Sequence, residues 1–508
     1  MRKQIFVIFF VLISAALFYC EKKKEEESIK MDVLFQPVDV EIPTVPWEKS
    51  IAIVPLTEKE DAFEDEVFSV LFNREIIRQL SKSKGLHVVT LPEEDWPELE
   101  EMQIAYALKG ELEYDEGRVK LTLHMDDLES DSTLWKETYD QDIASLFAVS
   151  EHVSGRVTAI LEEDYNQIHP IEEGPVSPEI SKIYLEAKSH LIKGTREEIN
   201  IAIEKLKAVL RIDTTFTLGY TSLAESYLKI TNDLSDRNPV WLRLAQDASL
   251  KAIQLDSTLD EGYLRLGQVY LARGDFMHAE MEFRRAIEIN SNAEEAWIGL
   301  GKIYAHFGLY QPCLEVYEKT LALNPANASV LLSRALILIG FMRYQEAEED
   351  VRRLLRFYPE DVFYHSFLGL ILYYSDNLNG ALDELRMGME ANECRTFSHA
   401  VLGMIYARQG RFDDALGEVE LEVKPNIGND GSLATAVAAV YTLLKQNGQA
   451  IQWLEKAIDW GYREYPWLVN DPNFKELHSD QRFVTLLARF KGEWEENMRL
   501  YIPIQSAS

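Results

Sequence analysis

The stretch that decides the architecture is GYLRLGQVYLARGDFMHAEMEFRRAIEIN, Gly262–Asn290, read against AWIGLGKIYAHFGLYQPCLEVYEKTLALNP, Ala296–Pro325. Tyr263, Trp297, Leu331, His365 and His399 follow one another at a constant step of 34 residues. The small residues Gly267, Gly301, Ala335, Gly369 and Gly403 keep that step, and so do Ala279, Cys313, Ala347, Ala381 and Ala415. Small side chains at these places let two helices of a hairpin approach closely. The bulky series Tyr270, Tyr304, Leu338, Leu372, Tyr406 and Phe283, Tyr317, Val351, Leu385, Val419 fills the space around them. A skeleton is repeated in this way when each helical hairpin can bury its apolar face only on its neighbours.

The period and the pattern resemble the tetratricopeptide repeat, including Pro325 and Pro359 at the helix-end position. Less regular units flank the five strict ones: IAIEKLKAVLRID and LGYTSLAESYL…AQDASLKAIQLD before them, and AVAAVYTLLKQNGQAIQWLEKAIDWG after. The expectation is an all-α solenoid of about eight hairpins over 178–461. The segment 462–508, with YPWLVNDPNFKELHSDQRFVTLLARF, is read as its C-terminal cap. The resemblance implies a concave groove lined by the first helix of each hairpin. Counted onto this chain, the groove presents Leu264, Gln268, Ile298, Lys302 and His306 in the earlier units. In the later units it presents Leu332, Leu336, Ile339, Phe363, Leu370, Tyr373, Tyr374, Phe397, Met404 and Arg408. An apolar, aromatic groove with a few polar handles suits a peptide or helix of a protein partner. The alternative is that these side chains pack within the superhelix. The Lys/Asn arrangement with which chaperone-binding relatives grip a terminal carboxylate is not reproduced at Leu264/Gln268 and Ile298/Lys302.

A chain of 508 residues exceeds one core, and its 46% hydrophobic content is that of a folded protein. The formal net charge of −33 disfavours nucleic acid, which needs a basic face. Three cysteines, Cys20, Cys313 and Cys394, form no CxxC, so neither a disulfide framework nor a zinc site is indicated.

The chain begins MRKQIFVIFFVLISAALFYCEKKKEEES. Arg2 and Lys3 precede an apolar run from Ile5 to Tyr19, shorter than the roughly 20 residues of a spanning helix and suited to export. LFYC resembles a lipobox, which implies a lipid on Cys20, although Tyr19 stands where that family carries Gly, Ala or Ser. Ordinary secretion with cleavage after Ser14-Ala15-Ala16, or an uncleaved anchor, are the other readings. Residues 1–20 are thus a signal segment and 21–48 a charged, proline-bearing tether. The expected location is the bacterial envelope, outside the cytoplasm.

Between the tether and the repeats, SIAIVPL reads as a strand and FEDEVFSVLFNREIIRQLSKS as an amphipathic helix. GLHVVTL is a second strand, and AYALKGELEYDEGRVKLTLHMDDLESDSTLWKETYDQD alternates like an antiparallel meander. IASLFAVSEHVSGRVTAILEE closes the unit as a helix. These stretches, most specifically LWKETYDQD…LFAVSE (Leu134–Glu151), resemble the TolB N-terminal-like domain, which implies a small α/β sandwich over 49–165 without catalytic residues. A linker, 166–177, follows. Asp126, Asp127, Glu129 and Asp131 lack EF-hand spacing and read as a solvated turn.

No phosphate loop, HExxH or GxSxG elbow occurs. His365 and His399 occupy equivalent places in adjacent repeats and read as packing residues in preference to a metal pair. Cys313 takes a small-residue slot and reads as an inert thiol. The functional expectation is therefore a non-enzymatic scaffold, lipid-anchored in the envelope, with no cofactor, no metal and a protein or peptide partner. An accessory lipoprotein for outer-membrane protein assembly and an envelope hydrolase with a site in the α/β domain are the alternatives.

Overall fold

The structure is a computed structural model that describes residues 49–501 apart from 59–66, 82, 84, 92–103, 116–117, 143–144, 163–175, 232–237, 360 and 391–394. Cys20, with the signal and tether around it, lies outside the described residues. The chain divides into two compact units. One holds the α/β part and the repeats up to Leu300, with Ala322–Pro325. The other holds Gly301–Leu321 and the chain from Ala326 onward.

In the α/β part, β1 (Ser50–Ile53), β2 (Thr57–Glu58), β3 (His87–Thr90), β4 (Tyr106–Asp115), β5 (Arg118–Asp127) and β6 (Ser132–Asp142) form one sheet. The order is β3-β1-β4-β5-β6, with β2 pairing to β4. β1 is buried at every position because it is parallel to both neighbours, β3 and β4, as expected of a central strand in such a pairing. β2 is also parallel to β4, whereas β4, β5 and β6 form an antiparallel meander whose alternation puts Val119, Leu121, Leu123 and Met125 inward. Two helices, α1 (Val67–Leu80) and α2 (Leu146–Glu162), close one core over the sheet with Phe72, Ile76, Leu80, Val149, Val153 and Val157. The motif at Leu134–Glu151 has a local explanation. Trp135, Glu137 and Tyr139 alternate onto one face of β6, and Glu137 accepts from the Trp135 indole at 3.1 Å. The same carboxylate lies 3.5 Å from Arg156 of α2, so strand and helix are stapled. At the acidic turn, Asp127 Oδ1 accepts the backbone N–H groups of Glu129 and Ser130, which makes it a turn former.

Among the described residues the repeats form eight helical hairpins. Their helix pairs are Pro178–Lys193/Arg196–Ile212, Thr217–Thr231/Val240–Leu255, Asp260–Ala272/Phe276–Ile289 and Glu294–His306/Tyr310–Leu323. Then follow Ala328–Gly340/Tyr344–Phe357, Phe363–Tyr374/Leu378–Gly388, Arg395–Arg408/Phe412–Gly417 and Gly431–Leu443/Asn447–Asp459. Sequence-local chemistry sets their ends: Ser177, Thr195, Asp275, Asn327 and Asp430 each accept a backbone N–H from the first turn they cap. The small-residue series does what its spacing requires. A Cβ at Gly267 would stand 2.8 Å from the Phe283 ring, and one at Gly369 would stand 2.6 Å from Leu385. In the seventh hairpin the second helix widens into a π-helical stretch, Glu418–Val423, and ends in a short 3-10 turn at Lys424–Asn426 that contains Pro425. Beyond the last hairpin come a helix at Tyr465–Asn470, a 3-10 stretch at Pro472–Ser479 and the helix Gln481–Tyr501. Among the described residues, no helix is long and apolar enough to cross a membrane.

Candidate functional site

The groove residues of the later hairpins meet the chain's own C-terminal segment. Tyr374 Oη donates to Asp471 at 3.0 Å, and Tyr373 Oη donates to the Asn473 amide oxygen. Asn473 Nδ2 lies 3.9 Å from the Met404 sulfur, and the Tyr374 ring meets Trp467 edge-on at 6.2 Å. Trp467 also covers Gly340, where an added Cβ would stand 3.3 Å from its ring. Burial pushes the Asp471 carboxyl up to about 6 against the bonds it accepts from Asn473 N–H and Tyr374. Leu468, Phe474, Leu477, Phe483 and Phe490 anchor the segment, each at 0% exposure. At about 1.5–3 kcal/mol for each large apolar side chain, a partner displacing this segment would have to offset of order 10 kcal/mol. The segment is thus packed on the first helices of the later hairpins.

This changes the reading of the groove. Leu332, Ile339, Leu370, Tyr373 and Met404 are buried and offer no surface to a partner, and so is Leu264 in the earlier hairpins. For Tyr373 and Met404 the correction has a physical cause: the chain's own C-terminal segment covers them through Asn473. Leu336, Phe363, Tyr374, Phe397, Lys302 and His306 are half-buried, and His306 packs edge-on to Phe307 at 5.1 Å. Phe363, Phe367 and Phe397 form an aromatic row, with ring centroids 5.0 and 5.1 Å apart. Arg408 is tied down: it donates to the Tyr373 carbonyl at 3.2 Å, pairs with Asp376 at 2.5 Å and lies over the Tyr373 ring.

In the first three hairpins the groove face is ionic. Lys188, Glu225 and Arg265 come from three successive first helices. Glu225 lies 2.9 Å from Lys188, 3.7 Å from Lys229 and 3.8 Å from Arg265. Burial would raise the Glu225 carboxyl, but the three cations overcome that and hold it well below the usual carboxylate range. Arg265 also pairs with Glu295 at 2.6 Å, and Gln268 donates to the same carboxylate at 3.0 Å. Gln268 is therefore a network member, and Ile298 is half-buried. Lys188 and Glu225 escaped the groove count because it began at Leu264, in the third hairpin; opposite charges on successive first helices were the available signal.

The two equivalent histidines do not pair with each other. His365 Nδ1 contacts Glu384 Oε2 at 2.5 Å, and His399 Nδ1 contacts Glu418 Oε2 at 2.5 Å. Each joins the two helices of its own hairpin, and no group of His, Cys, Asp and Glu suited to a metal occurs among the described residues. Cys313 is buried, its Sγ donates to the Gly301 carbonyl at 3.2 Å, and burial pushes the thiol up to about 12, which keeps it protonated.

These features describe a chain of helical repeats, and a family model matches part of it. The family model "Tetratricopeptide repeat" matches residues 264–311. The chain carries such repeats, and the fold is typically non-catalytic. A protein of Rhizobium meliloti (strain 1021) named "Putative adenylate cyclase 3" is 25% identical over 243 residues, covering 44% of this chain and 40% of that protein. The chain thus spans well under half the length of this curated relative. The crystal structure of the Cut9–Hcn1 APC/C hetero-tetramer is 17% identical, with 66% of this chain and 62% of that chain covered and a TM-score of 0.40. A tetratricopeptide repeat protein from Parabacteroides merdae ATCC 43184 is also 17% identical, with 50% and 96% covered and a TM-score of 0.39.

Proposed function

We propose that this chain is a non-enzymatic interaction scaffold of the bacterial cell envelope. In this reading a lipid on Cys20 holds it at a membrane, and its later hairpins hold a protein partner. The carrying observation is the aromatic row Phe363–Phe367–Phe397, in which Phe363 and Phe397 are half-buried. Half-exposed aromatic rings on helices provide large contact area, and aromatic residues including Phe are enriched in the cores of interfaces. The envelope part rests on Arg2, Lys3, the apolar run to Tyr19 and Cys20. The tetratricopeptide character supports a protein partner, and the charge of −33 makes nucleic acid a poor one. The cyclase name of the Rhizobium relative is not carried over, because the match takes in 40% of that protein.

The test is cross-linking capture from detergent-solubilised envelope with the full chain and with a Phe363→Glu/Phe397→Glu variant of matched thermal stability. A partner recovered reproducibly by the parent and lost with the variant is the expected outcome. A partner recovered equally by both, or none recovered, would sink the assignment. Intact mass of the native protein beside Cys20→Ser tests the anchor, since acyl mass must be present in the first and absent from the second.

A further inference from the structure

The α/β part and the first hairpins share one compact unit, and their contact changes character along its length. At the first hairpin its ring and side-chain packing is apolar, with Glu75 and Arg78 of α1 in electrostatic range of the Tyr184 hydroxyl. The Phe147 ring lies 5.7 Å from Tyr184, which packs edge-on to Phe216 at 5.2 Å, and Leu185 belongs to the core beneath the sheet. Further along, the contact becomes ionic. On α1, the Arg78 guanidinium is close enough to Glu261 of the third hairpin for each to favour the other's charged form. Arg74 likewise faces Lys229 of the second hairpin, a repulsive pair.

The contact ends in a hydrogen-bonded clamp. Asn292, in the turn after the third hairpin, donates through Nδ2 to the Leu86 carbonyl at 3.0 Å and accepts from the Val88 N–H at 3.4 Å. Leu86 and Val88 belong to the edge strand and its approach, and their outward carbonyl and N–H are the groups a further strand would take. One side-chain amide therefore stands in for a strand. Asn292 is itself positioned by Asn290, whose Oδ1 accepts the Asn292 N–H at 3.0 Å and whose Nδ2 donates to Asp260 at 2.8 Å.

We propose that the α/β part is a hinged cover over the first-helix side of hairpins one to three, with its pivot at Phe147/Tyr184/Leu185 and its latch at Asn292. The physical ground is an asymmetry. Polar contacts exchange with water at a small net cost each, whereas separating packed aromatic and aliphatic side chains exposes their whole area. The cover therefore opens from the Asn292 end and turns about the Phe147 end. Opening uncovers Glu261 and Lys229, which Arg78 and Arg74 of α1 face, and Lys229 adjoins the Glu225 network at 3.7 Å. This inference goes beyond the scaffold reading and does not depend on the aromatic row of the later hairpins.

Hydrogen exchange of the full chain, resolved by mass spectrometry with fragmentation, tests it. In Asn292→Ala the Val88 amide and its neighbours in 86–90 are expected to exchange about tenfold faster, the equivalent of one lost hydrogen bond. Asn292→Asp, which sets an oxygen against the Leu86 carbonyl, is expected to exceed that. In both variants the segments 147–153 and 180–191 keep their parent rates, whereas Tyr184→Ala is expected to speed both ends. Unchanged exchange at 86–90 would overturn the latch. Equal acceleration at 86–90 and 147–153 in the Asn292 variants would overturn the pivot.

Discussion

Gly308 and Gly274 occupy the same turn in consecutive hairpins, with φ +69° and +74°. An alanine at either place meets the left-handed backbone cost of about 1–2 kcal/mol. Their surroundings differ. Nothing lies within 4 Å of a Cβ at Gly274, whereas one at Gly308 would stand 2.7 Å from Nε1 of Trp494. That indole is held by the Tyr465 ring, 5.6 Å away, so it cannot yield freely. Relieving such an overlap in packed surroundings costs about 1–3 kcal/mol. Gly274→Ala should therefore destabilise by about 1–2 kcal/mol and Gly308→Ala by about 2–5 kcal/mol. The assay is urea unfolding of both variants, with Trp494→Ala completing a double-mutant cycle. The cycle should return a coupling of at least about 1 kcal/mol between positions 308 and 494. Equal losses in the two glycine variants with no coupling would show that the C-terminal helix does not sit against the fourth hairpin's turn.

Asp471 should impose a pH dependence. Its carboxyl is raised by burial to about 6, so its stabilising contribution is complete below the ordinary carboxylate range and is lost as pH rises through about 6. The loss is of order 3 kcal/mol at most, and Asp471→Asn should flatten the thermal-melting profile between pH 4.5 and 8, an outcome excluded if parent and variant profiles run parallel. Cys313 should resist thiol reagents at pH 8 in the folded chain and react once urea unfolds it; rapid modification of native protein would contradict its burial. Lys188→Met leaves Glu225 with weaker compensation and should cost about 2–4 kcal/mol in urea unfolding, whereas Lys188→Arg should cost much less; equal losses would mean that the charge at 188 does not support Glu225.

The repeat array was legible because a fixed step of 34 residues places small side chains against bulky ones, and Gly267/Phe283 and Gly369/Leu385 meet as the series implies. The α/β part was legible from its alternation, save for the two-residue β2, which is too short to show a period. The fate of the groove was not legible. Tyr373 meets Asn473 across 100 residues of chain, and no local pattern tells whether an aromatic groove is filled from within or from outside. Asn292 escaped notice for the same reason, since its partners are strand-edge backbone groups some 200 residues earlier. The histidine pairs did leave a trace. Glu384 and Glu418 stand 19 residues after His365 and His399, the same spacing twice, which points to a link within each hairpin.

The account turns on the C-terminal segment lying in the groove of the later hairpins. Native hydrogen exchange across the full chain tests this most directly. Amides of the segment 472–479 and of the helices Ala328–Gly340 and Phe363–Tyr374 should be protected to similar extents and lose protection together in Trp467→Ala. Free exchange in 472–479 while those helices stay protected would show an open groove, and the burial of Tyr373 and Met404 would then need another cause.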